Sequence, residues 1–326
     1  MGASLKHITS SSLILYILLW FTSCKTDSRD YSAMMHQLPT ELDLTDVCFI
    51  NNDTGFVTAG GLFTKGIVLR TNDGGASWDT AMLNNQGVNS ISFKNQILTV
   101  SESGNKLHTS SDFTNWSLNY VNQGWWGWHN HVRLGDNRVY LVGGENFGRG
   151  TIHLKDPNLN FTALKDTFEH ELRDIELTSE RTLYTVGYGL IMKSTDEGDS
   201  WIISNVDGDF FRGVDFPSAT TGYVVGEYGS VYKTVNRGNS WTQCRGANSI
   251  FADQSKLLRD IAFVDENNGF IVGTSNQVIK TEDGGKTWMD VTKLDGYADF
   301  YSISIYNNKA YLAGNKGQLL ILNLNL

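Results

Sequence analysis

Apolar and polar residues alternate along most of this chain in short runs, and turn residues separate the runs. In residues 211–243 the order is FRGVDF, TTGYVVG, GSVYKT and NRGNSW. A period of two places Val214 and Phe216 on one face of a strand. Val, Ile, Tyr and Phe also suit a pleated surface. The same order recurs at residues 44–80, 88–118, 129–164, 172–203, 258–290 and 300–322. The matching apolar pairs are Val47/Phe49, Ile91/Phe93, Val132/Leu134, Ile175/Leu177, Ile261/Phe263 and Ile303/Ile305. Second runs end on Gly143, Gly187, Gly226, Gly273 and Gly314, where a side chain would obstruct a close turn.

A turn motif, Ser/Thr-x-Asp-x-Gly-x-Ser/Thr-Trp, follows the third run of each unit. Its copies are TNDGGASW ending at Trp78, SSDFTNW at Trp116, STDEGDSW at Trp201, TVNRGNSW at Trp241 and TEDGGKTW at Trp288. A further copy, LKDPNLNF, ends at Phe161, and the spacings between terminal aromatics are 38, 45, 40, 40 and 47 residues. Four short strands repeated at such a period predict a radial architecture, the β-propeller. Seven units are expected, with six as the alternative count. The last unit supplies three strands, and residues 33–38 (AMMHQL) resemble the DTAMLN run after Trp78. Pairing of the two chain ends would then close the ring and remove its exposed edge. The expectation is an all-β, seven-bladed propeller over residues 33–326, closed by its N- and C-terminal strands.

The motif itself reads as scaffold. An Asp at a turn start accepts backbone N–H bonds, and Gly supplies positive φ. A Trp buries a large ring while its N–H finds a partner. Asp73, Asp112, Asp196 and Asp283, with Trp78, Trp116, Trp201, Trp241 and Trp288, are therefore expected to be structural. Calcium at Asp73 or Asp283 is disfavoured, because each offers one carboxylate where calcium takes six or more oxygens.

The first 24 residues lie outside that pattern. Lys6 and His7 precede the apolar run Leu13 to Phe21, followed by Thr22-Ser23-Cys24. A weakly basic start, a short apolar core and small residues before a Cys read as a lipoprotein-type signal with Cys24 as the lipidated residue, with ordinary signal cleavage as the alternative. Residues 25–32 read as a polar tether. The protein is thus expected in a bacterial envelope, periplasmic or at the cell surface, touching membrane through its lipid alone.

Net charge is −9, which argues against nucleic acid, since that partner demands a basic footprint. The 33 Gly and 3 Pro fit a turn-rich β protein. Cys48 and Cys244 fall in different units, and no metal spacing exists. His129 and His131 would share one side of a strand, but no third ligand accompanies them. No cofactor and no metal are expected. A ring that closes its own edges is expected to be a monomer.

The repeat resembles the Asp-box, or bacterial neuraminidase, repeat. It is more similar to the photosystem II stability/assembly factor family, which has non-photosynthetic bacterial relatives. FRGVDFPSATTGYVVGEYGSVYKTVNRGNSW and LRDIAFVDENNGFIVGTSNQVIKTEDGGKTW carry the resemblance best. It implies a seven-bladed propeller that binds other proteins during assembly of a membrane complex, without catalysis.

Aligned on their inner strands, the units present Thr45, Asn89, Asn130, Arg173, Arg212, Arg259 and Tyr301 at one channel mouth. By the resemblance, Arg173, Arg212 and Arg259 match that family's arginine cluster. Guanidinium forks suit carboxylates and phosphates. The alternative is local pairing with Asp174, Asp260 and Asp215. Loops at the same mouth are aromatic: Trp125, Trp126 and Trp128 beside His129 and His131, then Phe168, Phe210, Phe211, Phe251, Tyr297, Phe300 and Tyr301. Exposed aromatics beside Arg suit a protein or glycan surface, although some of these rings are expected to fill gaps between blades.

The expected function is capture of a protein or acidic peptide segment at this mouth, in assembly or stabilisation of an envelope complex. The alternative is a glycan-binding or sialidase-like propeller. Three arginines and Tyr301 superficially fit a sialidase, but the Phe-Arg-Ile-Pro type signature of that family is missing, FRGV at 211–214 being a shadow of it. Glu145, Glu171 and Asp174 form no evident catalytic carboxylate pair.

Overall fold

The computed structural model describes residues 31–61, 64–104, 106–121, 128–136, 138–145, 149–155, 162–246, 257–291 and 297–324. The expected signal segment with Cys24, and the tether up to residue 30, lie outside them, as do Trp125, Trp126, Phe161 and Phe251.

Alternating sequence becomes strand throughout. β1 (Ala33–Gln37) comes first. β2 (Leu44–Phe49), β3 (Gly55–Ala59), β4 (Gly66–Thr71) and β5 (Asp79–Asn84) form one antiparallel sheet. β6 (Val88–Lys94), β7 (Ile97–Glu102), β8 (Lys106–Ser110) and β9 (Ser117–Tyr120) form the next. β10 (Trp128–Leu134), β11 (Val139–Glu145), β12 (Arg149–Lys155) and β13 (Thr162–Phe168) follow. β14 (Leu172–Leu177), β15 (Leu183–Ser194), β16 (Ile202–Asp215), β17 (Gly222–Gly226), β18 (Val231–Thr234) and β19 (Thr242–Arg245) share one sheet. β20 (Leu258–Phe263), β21 (Gly269–Gly273), β22 (Val278–Thr281) and β23 (Met289–Asp290) make another. β24 (Phe300–Tyr306), β25 (Lys309–Gly314) and β26 (Gln318–Asn323) complete the set, with β1 added outside β26.

The fold is an all-β propeller, but the expectation of seven separate blades is corrected. The sheets comprise a five-blade arrangement of four-stranded sheets and one continuous six-stranded sheet. The cause lies in β15 and β16. β15 pairs with β14 through Leu183–Gly187 and with β16 from Tyr188 onward. β16 pairs with β15 through Ile202–Phe210 and with β17 through Phe211–Asp215. Residues 206–210 stay extended, so the outer strand of one repeat runs straight into the inner strand of the next. The two repeats there are fused into one sheet.

The chain ends meet. β1 pairs antiparallel with β26, from Ala33 opposite Leu322 to Gln37 opposite Gln318. Lys280, fully buried, bonds the Tyr31 hydroxyl and lies 4.6 Å over its ring, and it pairs with Glu282 at 2.8 Å.

Neighbouring repeats are joined by a recurring trio of rings. Phe49 stacks on Tyr311 at 3.5 Å and meets Trp78 edge-on at 6.1 Å. Phe216 does the same with Tyr184 at 3.8 Å and Trp241 at 6.0 Å. Phe263 does so with Tyr223 at 3.9 Å and Trp288 at 6.2 Å. Each Phe also lies over the first glycine of its second strand. A Cβ on Gly222 would stand 2.4 Å from the Phe216 ring, and one on Gly269 2.5 Å from Phe263. Gly222→Ala is therefore expected to displace the trio and cost about 1–3 kcal/mol in urea unfolding, with no change at the mouth. An unchanged midpoint would show that Phe216 can move at no cost.

The turn motif has the expected geometry in its good copies. Asp73 accepts from the Ser77 N–H at 2.9 Å and from Thr71 Oγ1 at 2.8 Å. Asp196 accepts from the Ser200 N–H at 2.9 Å, and Asp283 from the Thr287 N–H at 2.9 Å. The Ser77 bonds hold the Asp73 carboxyl down at about 2. The worn copy differs: Asp112 accepts from the Thr114 and Asn115 N–H groups at 2.9 and 2.7 Å. Indole partners also vary. Trp78 and Trp201 donate to Gly75 O and Gly198 O, both at 3.0 Å, and Trp116 donates to Ala81 O at 3.2 Å. Trp241 and Trp288 have no N–H partner among the described residues, contrary to expectation.

Candidate functional site

The inner strands β2, β6, β10, β14, β16, β20 and β24 touch in chain order, and β24 touches β2, so they enclose a central channel. Their polar side chains clasp one strand to the next. Asp46 accepts from the Val47 and Ile91 N–H groups at 2.8 and 2.9 Å, and from Ser90 Oγ and Ser302 Oγ at 2.8 and 2.7 Å. Asp174 accepts from the Val214 N–H at 2.9 Å, Asp215 from Phe263 at 2.7 Å and Asp260 from Ile303 at 2.9 Å. Channel carboxylates thus do the work of backbone partners between successive inner strands, which do not pair with one another.

At one mouth a cavity of about 380 Å³ is lined by Thr45, Asn89, Asn130, Arg173, Arg212, Arg259 and Tyr301, the whole ring that the alignment of units brings together. Thr45, Asn89 and Asn130 make an uncharged half. The three arginines form a cationic crescent opposite. Asp46, Asp174, Asp260 and His131 lie at its floor.

The arginines are held by glutamates rather than by the aspartates that the local-pairing alternative names. Asp174, Asp215 and Asp260 themselves clasp backbone. Arg212 donates Nε and Nη2 to Glu227 Oε2 at 2.9 and 2.6 Å, and Arg259 donates Nη1 to Glu227 Oε1 at 2.8 Å. Arg173 donates Nη2 to Glu171 Oε2 at 3.0 Å, and Asn130 Nδ2 holds Glu171 Oε1 at 3.0 Å. Both glutamates are buried. Three guanidiniums thus meet at this rim against the carboxylates of Glu171 and Glu227. The guanidiniums still reach solvent, with side chains 20%, 18% and 22% exposed for Arg173, Arg212 and Arg259. Burial and the neighbouring Arg212 bring Arg173 down to about 10, so it remains cationic at neutral pH.

Glu227 was not singled out from the sequence. The available signal was positional: it directly follows Gly226, the terminal glycine of a second strand, and such residues reach the mouth. Tyr188, directly after Gly187, sits by the same rule and was missed for the same reason, as was Tyr228, the residue after Glu227. They are 42% and 44% exposed. Phe211 and Phe300 are fully buried between sheets, whereas Tyr297 is 61% exposed. Trp128 opens β10, and Phe168 closes β13. His131 Nδ1 faces Asp174 Oδ1 at 3.1 Å. Cys48 and Cys244 are free thiols, and burial pushes Cys48 up to about 12.

Below the mouth the channel turns acidic. Asp46, Asp174, Glu176, Asp215 and Asp260 line a second cavity of about 320 Å³ with a single guanidinium, Arg133, which is paired to Glu176. Burial, then Glu176, raises Asp215 to about 7, and burial with Asp174 raises Asp260 well above its ordinary value. A carboxyl whose folded value is raised contributes stability below its unfolded value and loses it as pH climbs through the folded one. For Asp215 that window runs from 3.8 to about 7, with a ceiling of about 4 kcal/mol. The urea midpoint is therefore expected to fall between pH 5 and pH 8, and Asp215→Asn to flatten that fall. A midpoint that rises with pH would contradict it.

The family model described as photosynthesis system II assembly factor YCF48 matches residues 247–323. No curated protein matches the chain. Among solved structures, YCF48 bound to D1 peptide is similar at 19% identity and a TM-score of 0.73, covering 93% of this chain and 100% of that one. YCF48 from Cyanidioschyzon merolae matches at 19% identity and 0.70, covering 89% and 98%. Virginiamycin B lyase from Staphylococcus aureus matches at 10% identity and 0.71, covering 90% and 100%. At such identities the structural likeness establishes the propeller fold, and the sequence similarity to the YCF48 family lies in the C-terminal part of the chain.

Proposed function

We propose that this chain is a non-catalytic propeller that captures a carboxylate-bearing protein segment at its arginine mouth, and so helps to assemble or stabilise an envelope complex. The carrying observation is the convergence of Arg173, Arg212 and Arg259 on one open cavity, with Glu171 and Glu227 aligning them from behind. With respect to the described residues, Arg212 Nη1 and Arg259 Nη2 are left for a guest. The acidic floor repels a carboxylate, so the guest is held at the rim. The peptide-bound state of the similar YCF48 propeller supports a peptide guest. Engagement of the channel aspartates with backbone N–H groups speaks against a catalytic pair there.

The proposal extends to the membrane. Lipid on Cys24 would hold the protein at a bacterial envelope membrane. Among the described residues no helix is long and apolar enough to cross one. Tyr301 stands at the mouth end of β24 and Asn308 follows its far end; Leu324 N–H bonds Asn308 O at 2.7 Å, and Asn323 N–H bonds Ser32 O at 3.0 Å. Tyr31 therefore leaves the body at the face opposite the mouth, and a tether starting there keeps the arginines accessible. Cys24→Ala is expected to shift the protein from the membrane to the soluble fraction.

The test is capture from detergent extract by tagged full-length protein beside an Arg173/Arg212/Arg259→Ala triple variant. A partner retained by the native protein and lost by the variant is the expected result. Equal retention by both would remove the mouth from the reading. If nothing is retained, a glycan array and a sialidase assay test the alternative.

A further inference from the structure

We propose that His170, Tyr188 and Phe210 form an aromatic subsite beside the arginines, selecting segments in which an aromatic residue lies two positions from the bound carboxylate. This rests on the carboxylate-capture reading above and adds the sequence that the captured segment must carry.

The three rings are contiguous with the cationic crescent. The Arg212 guanidinium carbon is 5.6 Å from the centre of the Phe210 ring. Tyr188 meets Phe210 at 4.0 Å and 69°, and His170 stacks on Tyr188 at 5.6 Å and 29°. The rings are fixed from behind. Tyr188 N–H bonds Glu171 O at 3.2 Å, and the Glu227 N–H bonds Phe210 O at 2.7 Å. The two acceptor carboxylates of the arginines thus belong to the same backbone clasp that positions the aromatics.

Tyr188 nevertheless keeps 42% of its surface in solvent. The next residue, Gly189, has φ +65, and a Cβ there would meet nothing within 4 Å. Space beside the ring is therefore open. A large ring held in place but left exposed presents apolar surface that a guest can bury at little ordering cost.

Geometry sets the spacing. In an extended segment, residues two apart project from one face, about 7 Å from each other. The Phe210 ring centre lies 5.6 Å from the Arg212 guanidinium carbon, and the Tyr188 ring centre 4.0 Å from that of Phe210, so the aromatic pair begins one such step from the cation, whereas adjacent residues point to opposite faces. Charge complementarity selects an acidic segment for the first position, and the exposed Tyr188 ring selects an apolar one for the second.

The experiment is fluorescence anisotropy with full-length protein in detergent. The probe is a fluorescein-labelled, C-terminally amidated Gly/Ser peptide with Asp-Gly-Phe at its centre, beside Asp-Gly-Ala and Asn-Gly-Phe analogues. Native protein should prefer Asp-Gly-Phe to Asp-Gly-Ala by about fivefold or more. Tyr188→Ala should bring the two within about twofold, and Tyr188→Phe should restore the preference. Tyr188 is a surface ring, and an unchanged melting temperature checks the fold of its variants. Native protein without a Phe preference, or a Tyr188→Ala variant that keeps it, would overturn the subsite. If the Asp and Asn peptides bind native protein alike, carboxylate capture fails instead, while the Phe-to-Ala ratio still judges the subsite. Absence of binding by every peptide overturns both.

Discussion

Replacing Asp46 with alanine is expected to destabilise the fold by about 3–5 kcal/mol, a fall of order 10 °C in melting temperature. One carboxylate accepts four hydrogen bonds from three strands. The Val47 N–H lies on its own strand β2, Ser90 and Ile91 on β6, and Ser302 on β24. Those strands belong to the sheets on either side of the chain-end junction. Alanine leaves two buried N–H groups and two hydroxyls without their acceptor, and each orphaned group costs about 1–3 kcal/mol. Relief of repulsion with Asp260 offsets part of the loss. Asp46→Asn preserves shape and acceptor count on one side, so its loss should be smaller than that of alanine. Urea unfolding of both variants at pH 7 checks this. A loss below about 1 kcal/mol for alanine would mean that ring closure depends on β1 pairing with β26 rather than on the clasp.

Arg212→Glu is expected to weaken partner capture by about a hundredfold or more. Arg212 is the middle member of the crescent, bound to Glu227 and lying over Phe210. A glutamate there faces Glu227, itself 11% exposed, and leaves it without its closest cation. The substitution shifts the rim by two charge units toward negative, and a carboxylate guest meets repulsion where it met a fork. Arg212→Lys keeps charge but not the two-pronged hold on Glu227, so intermediate capture is expected. Capture should also weaken with salt, because the rim is in contact with solvent. Undiminished capture by Arg212→Glu would place the partner elsewhere on the molecule.

Much of this was legible in the chain. Period-two runs and the Trp-terminated turn located nearly every strand, because a strand's side-chain period and a turn's need for Asp and Gly are local requirements. The ring of Thr45, Asn89, Asn130, Arg173, Arg212, Arg259 and Tyr301 was legible too, since equivalent positions of a radial repeat must share one mouth. Sheet count was not. Whether residues 206–210 break or continue a strand depends on pairing with β15 and β17, which no local pattern records.

Partners of the arginines were hidden for a related reason. Asp174, Asp215 and Asp260 are nearest to them in sequence, but the strand pleat turns those carboxylates toward backbone N–H groups of the following inner strand. Glu227 reaches Arg259 across 32 residues, from the end of one second strand to the start of the next inner strand. By itself the sequence determined the all-β repeat, the closing of its ends and the identity of the mouth residues, because each follows from periodicity. Only the tertiary structure decided which charges meet, which aromatics stay exposed beside them and where two repeats fuse, because those depend on contacts between units that periodicity leaves free.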